Sequence, residues 1–380
     1  MKRRDFLASC AGVLASPGIV KAQTVNRVIV VGAGAAGMTA AYHLKRSGVD
    51  VTVLEASNRW GGRVKRSTTL ADVPLDLGAE WVHTDATVFG EILDQGASDM
   101  GMETIAYRPE TYQFWNRGKL KDFNAASNFY EEVKFRDTTW YGFFERFMAS
   151  TVKDSIRFNS PVTQIATDTS GVSVTTRGGQ VFTADRVIVT VPISQLKQGK
   201  IALPSTAKRK LGDLNDVAFG KGYKVFLRFQ DRFYPDMLFF GSRLTALQDS
   251  WDSKIYYDAA FRKPTDANIL GLFNVDHDTL PRVDLGDAAF IEDVLNELTE
   301  IYSSVVRDSF IKAEVQNWSA VPFIGGSYSM TNDSDAWLSD ILAPIDGKIY
   351  FAGEALGGDA QSTVHGAAFS ALTALEQIYG

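Results

Sequence analysis

Apolar positions along this 380-residue chain change period several times, and each change marks an element. Four β-forming residues, Val28 to Val31, run into Gly32, Gly34 and Gly37, after which Met38, Ala41, His43 and Leu44 recur at helical spacing. That pattern predicts a strand, a tight turn and a helix. A second apolar strand, Val51 to Leu54, ends in Glu55. Val162 to Ile165 and Val172 to Thr175 alternate, and Arg186 to Pro192 runs apolar, with turn signals at Ser170-Gly171 and Gly178-Gly179 between them. These read as a strand, a hairpin and a buried strand returning to the first unit. Ala218 to Phe229 starts another strand, Ile269 to Val275 a further one, and Ala288 to Tyr302 an amphipathic helix whose apolar face is Ile291, Val294, Leu295 and Leu298. Phe351 to Glu354 ends a strand, and Ser362 to Ala367 opens the last helix with Ser or Thr as its cap. Between Tyr107 and Phe147, 13 of 41 residues are aromatic, including Tyr112, Phe114, Trp115, Phe129, Trp140, Phe143 and Phe144. This stretch reads as a helical insert over an apolar cavity, most of its rings forming the core of that layer.

Composition adds bounds rather than identity. With 45% hydrophobic and 22% charged residues the chain is ordinary globular protein, long enough for two domains or one large one. The net charge is −6, and setting aside the +3 of residues 1–22 leaves −9 for the remainder. An acidic body argues against a nucleic-acid groove and favours cationic small molecules. Lys2-Arg3-Arg4-Asp5-Phe6-Leu7 resembles the twin-arginine export motif; a modest apolar run to Val20 and the small-residue site Val20-Lys21-Ala22 follow it. The expectation is a signal peptide over residues 1–22, a folded passage through the twin-arginine translocase, and a periplasmic or secreted enzyme with no lasting membrane anchor. A basic disordered N-terminus is the competing reading. Cys10 is the single cysteine and lies within that leader, so the processed chain would carry neither a disulfide nor a thiolate.

The chemistry starts at the first turn. Gly32 would make the turn, Gly34 would let backbone approach a pyrophosphate, and Gly37 would let the helix lie close on the strand, with phosphates on the free N–H groups near Ala36. Glu55, twenty-three residues after Gly32, is placed to accept ribose hydroxyls, which together indicates an adenine dinucleotide. Arg59-Trp60-Gly61-Gly62-Arg63 and Asp76-Leu77-Gly78-Ala79 then supply a further loop and cation, as a cofactor buried along its whole length requires. Residues 27–83 resemble the flavin-dependent amine oxidases, a family that includes monoamine oxidases, polyamine oxidases and lysine-specific histone demethylases. The resemblance continues through residue 378, weakly in the middle.

It implies an α/β fold in which a Rossmann-like FAD-binding domain (24–84, 153–200 and 340–380) is interleaved with an α+β substrate-binding domain (85–152 and 201–339). It implies cofactor contacts at Ala56 and at Gly78, Ala79, Glu80 and Trp81, and an adenine contact by the backbone of Val162. Near the C-terminus it implies Gly353 and Glu354 along the ribityl and pyrophosphate part, and Thr363 and Val364 at a helix start aimed at the flavin. Ser327 stands where some relatives carry a covalent cysteine, so FAD is expected to be non-covalent. His277 reads as a surface loop histidine rather than a metal ligand, and no metal is expected.

The same resemblance assigns the reacting groups. Lys224 interrupts an apolar strand, where a lysine needs a reason; the family's lysine at this place reaches toward flavin N5, while a lysine snorkelling to solvent is the alternative. Lys221 is taken as the solvated one. Trp318 and Tyr328 match the segment beside the flavin ring, Tyr328 as one wall of an amine cage whose opposite tyrosine is replaced by Thr363, a pattern closer to polyamine oxidases and demethylases. His83 matches a tunnel histidine that would hold the amine or accept its proton, or else is a structural histidine at a strand end. The expected reaction is hydride transfer from the α-carbon of an amine, polyamine-like in class, to FAD, then hydrolysis of the imine to an aldehyde, with oxygen or a respiratory acceptor as oxidant. A flavin desaturase acting on C–C bonds and a non-catalytic flavin-binding assembly protein are the alternatives.

Overall fold

The first apolar run and the glycines after it form a short strand, Arg27–Val31, and a helix, Ala35–Arg46. The strand lies inside a five-stranded parallel sheet whose order is Ile349–Phe351, Arg186–Val189, Arg27–Val31, Asp50–Leu54 and Ile156–Arg157. Because both faces of this sheet are covered, its strands are mostly apolar, with polar residues at their ends and Thr52 within. Val30, Val53, Val187 and Ile349 are fully buried. The last helix, Val364–Tyr379, packs on the first, with Ala40, Ala41, Ala368 and Ala371 all buried at small-residue positions. Residues described by this computed structural model are 25–123, 130–211, 214, 217–241, 254–276, 282–330, 338 and 341–380. Residues 1–22, expected from the sequence to be an export signal, together with Phe129 and His277, lie outside them. Among the described residues no helix is long and apolar enough to cross a membrane.

Close approach of the first helix to the turn is what Gly37 provides. A Cβ on Gly37 would stand 2.0 Å from the Gly32 carbonyl oxygen and 2.9 Å from Thr190 Oγ1. Neither can retreat, since Gly32 is fixed at φ +105° and Thr190 donates its hydroxyl to the Val31 carbonyl at 2.9 Å. Gly37→Ala is therefore expected to cost about 3 kcal/mol or more in stability, read as a lower urea midpoint; an unchanged midpoint would contradict this packing.

The second large element is a seven-stranded sheet, ordered Phe310–Asn317, Lys221–Phe229, Asn268–Asp276, Ile255–Asp258, Met237–Phe240, Tyr112–Asn116 and Lys119–Phe123. Its pairings are antiparallel except where Met237–Phe240 runs parallel to Tyr112–Asn116. The helix Asp287–Tyr302 covers one face, burying Phe290, Val294, Leu295, Leu298 and Ile301. Ile291, expected on the apolar face, is only partly buried at its edge; Phe290 takes the inward position, edge-on to Tyr223 at 4.6 Å.

The aromatic stretch differs from its sequence reading. Instead of a helical insert, the described part of residues 104–135 forms strands, Thr104–Tyr107 pairing with Glu132–Phe135 and Tyr112–Asn116 with Lys119–Phe123. The physical reason is a period of two: Tyr112 and Phe114 point one way, stacking over Phe239 (6.4 and 5.4 Å between ring centres), and aromatic side chains fit such a pleated, half-buried surface. Helix begins only at Trp140–Phe144, where the Thr139 hydroxyl accepts from the Gly142 N–H, and continues through a wider turn over Glu145–Ala149.

Candidate active site

A single cavity of about 1510 Å³ is lined by residues of both large sheets, from Val31 and Leu54 to Tyr223, Phe239 and Phe273. It exceeds the roughly 300–1,000 Å³ of an ordinary small-molecule pocket and suits a dinucleotide together with a substrate.

One end is built by glycine turns. Gly34 has open space where a Cβ would project, so its backbone is bare to the cavity. The Gly61-Gly62 loop docks on it: the Gly61 N–H donates to the Ala33 carbonyl at 2.7 Å, with Gly61 and Gly62 at φ +103° and +57°. Arg59 braces that loop from behind, its guanidinium donating to the carbonyls of Trp60, Gly62 and Val64. Glu55 lines the cavity, its carboxylate fixed by the Ala33 N–H (2.7 Å), the Ser57 N–H (2.8 Å) and the Ser57 hydroxyl (2.7 Å). Gly32, Ala36, Ala56 and Val162 share this end. Gly37 acts through helix packing and does not reach the cavity wall.

Distant segments meet at Arg63. Its guanidinium donates to the Ser327 carbonyl at 2.8 Å and to Glu354 at 2.9 Å, and lies 5.5 Å from the centre of the Phe219 ring. Glu354 also accepts the Ser329 hydroxyl at 2.6 Å. The cavity wall there includes Gly353, Glu354, Thr363 and Val364. Thr363 caps the last helix, its hydroxyl accepting from the Gly366 N–H at 2.9 Å, so the helix start with its partial positive charge borders the cavity.

The other end is organised around Lys224, which is buried rather than snorkelling. Its ammonium has three donors, and they meet the Asp76 carbonyl (3.1 Å), the Gly78 carbonyl (2.8 Å) and a Glu80 carboxylate oxygen (3.0 Å). Glu80 also takes the Tyr257 hydroxyl at 2.5 Å, and its second oxygen lies 3.6 Å from Lys134. Burial pushes the Glu80 carboxyl up, but Lys224, Lys134 and the hydrogen bonds outweigh it and hold the group down at about 2. Asp76 goes the opposite way: burial and the neighbouring Glu80 charge raise it well above the carboxylate range. Lys221 is exposed, as expected of the solvated lysine.

Walls around this end come from Trp81, Trp318 and Tyr328. The Trp318 indole N–H donates to the Leu77 carbonyl at 3.1 Å; a Cβ at Gly78 would stand 1.7 Å from the Arg63 carbonyl oxygen and 3.1 Å from the indole edge, so glycine there admits the Arg63 backbone first and the ring beside it. His83, at φ +58°, lines the cavity with Nδ1 2.9 Å from Glu132. Ala79 completes this side.

Glu80 fixes a pH dependence. Its folded value of about 2 lies below the ordinary 4.5, so it stabilises the fold above pH 4.5 and that stability is lost as pH falls through 2, an amount of about 3 kcal/mol. Asp76, raised in the fold, works in the opposite sense over the same acid range. Burial, the larger cause at Asp76, remains in Glu80→Gln, so the comparison with that variant reads mainly Glu80: the wild type is expected to lose thermal stability more steeply from pH 5 to 3, and parallel curves would contradict the charge assignment.

The sequence reading missed Lys134, Tyr257 and Glu132. A signal existed for Lys134, a cation between Val133 and Phe135 in a β-forming run, as with Lys224, but nothing local joins these residues to Glu80. The glycine cradle open at Gly34, the capped helix start, and a cavity long enough to join them fit a full-length dinucleotide, FAD among them.

Comparison with known proteins agrees with this geometry. The family described as flavin containing amine oxidoreductase matches residues 141–378, and an NAD(P)-binding Rossmann-like domain matches residues 30–95. The chain is 23% identical to polyamine oxidase 4 of Oryza sativa subsp. japonica, over 92% of this chain and 88% of that protein. It is 25% identical to human lysine-specific histone demethylase 2 over 92% of its own length, but spans 53% of that relative. Among solved structures it is similar to a putrescine oxidase bound to putrescine (TM-score 0.73, 17% identity, covering 92% of this chain and 98% of that one). It is also similar to cyclohexylamine oxidase from Brevibacterium oxydans IH-35A (TM-score 0.75, 15% identity, covering 94% and 99%).

Proposed function

Since the chain belongs to the flavin containing amine oxidoreductase family, we propose that it oxidises a cationic aliphatic amine of the polyamine class, using non-covalently bound FAD. The observation that carries this reading is one cavity joining the glycine cradle to the Lys224–Glu80 pair beside Trp318 and Tyr328. Gly32, Gly34, Gly62, Glu55, Arg63 and Glu354 would hold the cofactor, and the start of the last helix would face its ring. When bound, FAD supplies the hydride acceptor for the carbon next to the amine nitrogen, with oxygen or a respiratory acceptor as final oxidant.

The protein's own groups orient and charge the site. Trp318 and Tyr328 would hold the amine in position, shortening the search for a reactive geometry. Lys224 presents a fixed positive charge at the wall, where negative charge increases during reduction. His83 with Glu132 supports a role in holding the substrate nitrogen, and the acidic side chains Glu131 and Glu132 on the cavity favour a cationic substrate. Water then hydrolyses the imine to an aldehyde and a smaller amine. The basic leader further supports export by the twin-arginine route to the periplasm or beyond.

The experiment is an anaerobic screen in which the yellow, FAD-loaded protein is mixed with putrescine, spermidine, aromatic amines and amino acids. Bleaching by an aliphatic di- or polyamine is expected; loss of colour with none of them would refute amine oxidation. Acid precipitation is expected to leave the flavin in the supernatant, because Ser327 offers a hydroxyl, already donated to the Gly220 carbonyl at 3.0 Å, and no thiol. Flavin retained in the pellet would contradict non-covalent binding.

A further inference from the structure

Three lysines, Lys134, Lys224 and Lys263, are buried around the Asp76–Glu80 segment, and the reaction above uses one of them. Lys134 is completely buried, at 0% exposure. Its ammonium donates to the Ala259 carbonyl at 3.0 Å and lies 4.7 Å from the centre of the Tyr107 ring and 5.7 Å from that of Trp81, a residue of the cavity wall. It stands 3.6 Å from one oxygen of Glu80, while the other oxygen takes Lys224 at 3.0 Å and the Tyr257 hydroxyl at 2.5 Å. One carboxylate thus bridges two ammonium groups, one oxygen to each. Enclosing a second cation behind the first is costly, and one carbonyl at 3.0 Å with a carboxylate oxygen at 3.6 Å offsets that cost only in part.

We propose that Lys134 is a positioning residue for amine oxidation, acting through Glu80 to set how firmly Lys224 is held against the Asp76–Glu80 segment. The inference rests on the reading of this cavity as an amine oxidase centre. A carboxylate shared by two cations satisfies each less than one it held alone, so the charge on Lys134 weakens the hold of Glu80 on Lys224. Loss of the Lys134 proton leaves the carboxylate to Lys224 and the Tyr257 hydroxyl. The groups facing Lys134 are Glu80 and Asp258, which favour its charge, and Lys263 and Lys224, which oppose it. Burial decides the balance and brings Lys134 down to about 8, so its charge changes close to neutral pH. Lys263, donating to the Phe135 carbonyl at 2.8 Å, is lowered by burial as well and is held by Asp76 and Glu80. Asp76, Tyr257, Tyr107 and Tyr130 also face Glu80. Coupling between two sites is reciprocal, so whatever Lys134 does to Lys224 is readable at Lys134 itself.

The test follows the ¹³Cε resonance of Lys134 with pH in lysine-labelled full-length protein, Lys134→Met serving to assign it. A midpoint near 8 is expected in the wild type. Glu80→Gln should lower it by about 1 to 3 units, as loss of a neighbouring opposite charge does, and Lys224→Met should raise it because a repelling cation is gone. Should Glu80→Gln fail to fold, Tyr257→Phe removes a donor that competes for the same carboxylate and should raise the midpoint by a smaller amount. In the FAD-loaded protein, Lys134→Met should lower the flavin midpoint potential at pH 7 and reduce kcat with KM little changed. A Lys134 midpoint indifferent to the Glu80 and Lys224 variants, or a potential unchanged in Lys134→Met, would overturn the proposal even in an active amine oxidase. A protein that binds FAD but is bleached by no amine would overturn the functional reading while leaving the shifted midpoints in place.

Discussion

Lys224→Met is expected to lower the rate of amine-dependent flavin bleaching about 10²- to 10³-fold, the usual loss when one preorganised electrostatic group is removed from a site. Methionine keeps most of the buried stem and takes away the charge. The carbonyls of Asp76 and Gly78 lose their donor, and Glu80 is left with Tyr257 and the more distant Lys134. Because the ammonium acts where charge grows during the reaction, the loss should appear in kcat, with KM changed far less. Stopped-flow bleaching under anaerobic conditions, followed by re-admission of oxygen, separates an effect on reduction from one on reoxidation. Equal rates for variant and wild type in both phases would remove Lys224 from the mechanism.

Arg63→Ala should produce the largest defect in cofactor retention. Arg63 ties the early Gly-Gly-Arg loop to Ser327 and to Glu354, 264 and 291 residues later, and both ends of the pair line the cavity. Breaking a buried pair strands the remaining charge at a cost of about 3 to 5 kcal/mol. Glu354 is 8% exposed but Arg63 is 23% exposed, and Ser329 still donates to the carboxylate, so the lower end of that range, about 3 kcal/mol, is expected. The protein should purify with little flavin and unfold at lower urea. Full flavin content at unchanged stability would show that the loop holds its place without this pair.

Local chemistry was legible wherever it depended on neighbours in the chain. The turn at Gly32, the helix opened by Thr363, and the strand carrying Lys224 each follow from short-range spacing and appear as expected. In the aromatic stretch period rather than composition sets the structure: Tyr112 and Phe114 alternate, and the facing strand Met237–Phe240 gives that alternation its partner. The exposure of Lys221 and burial of Lys224 likewise follow their places along one strand.

By itself the sequence determined the parallel Rossmann-like core and the two glycine loops, since backbone conformation and hydrophobic period are local properties. Only the tertiary structure decided that Arg63 meets Glu354 and that Glu80 stands between Lys224, Lys134 and Tyr257. The reason is physical: the energy of a buried charge depends on what surrounds it in space, and those partners come from segments that no spacing rule connects.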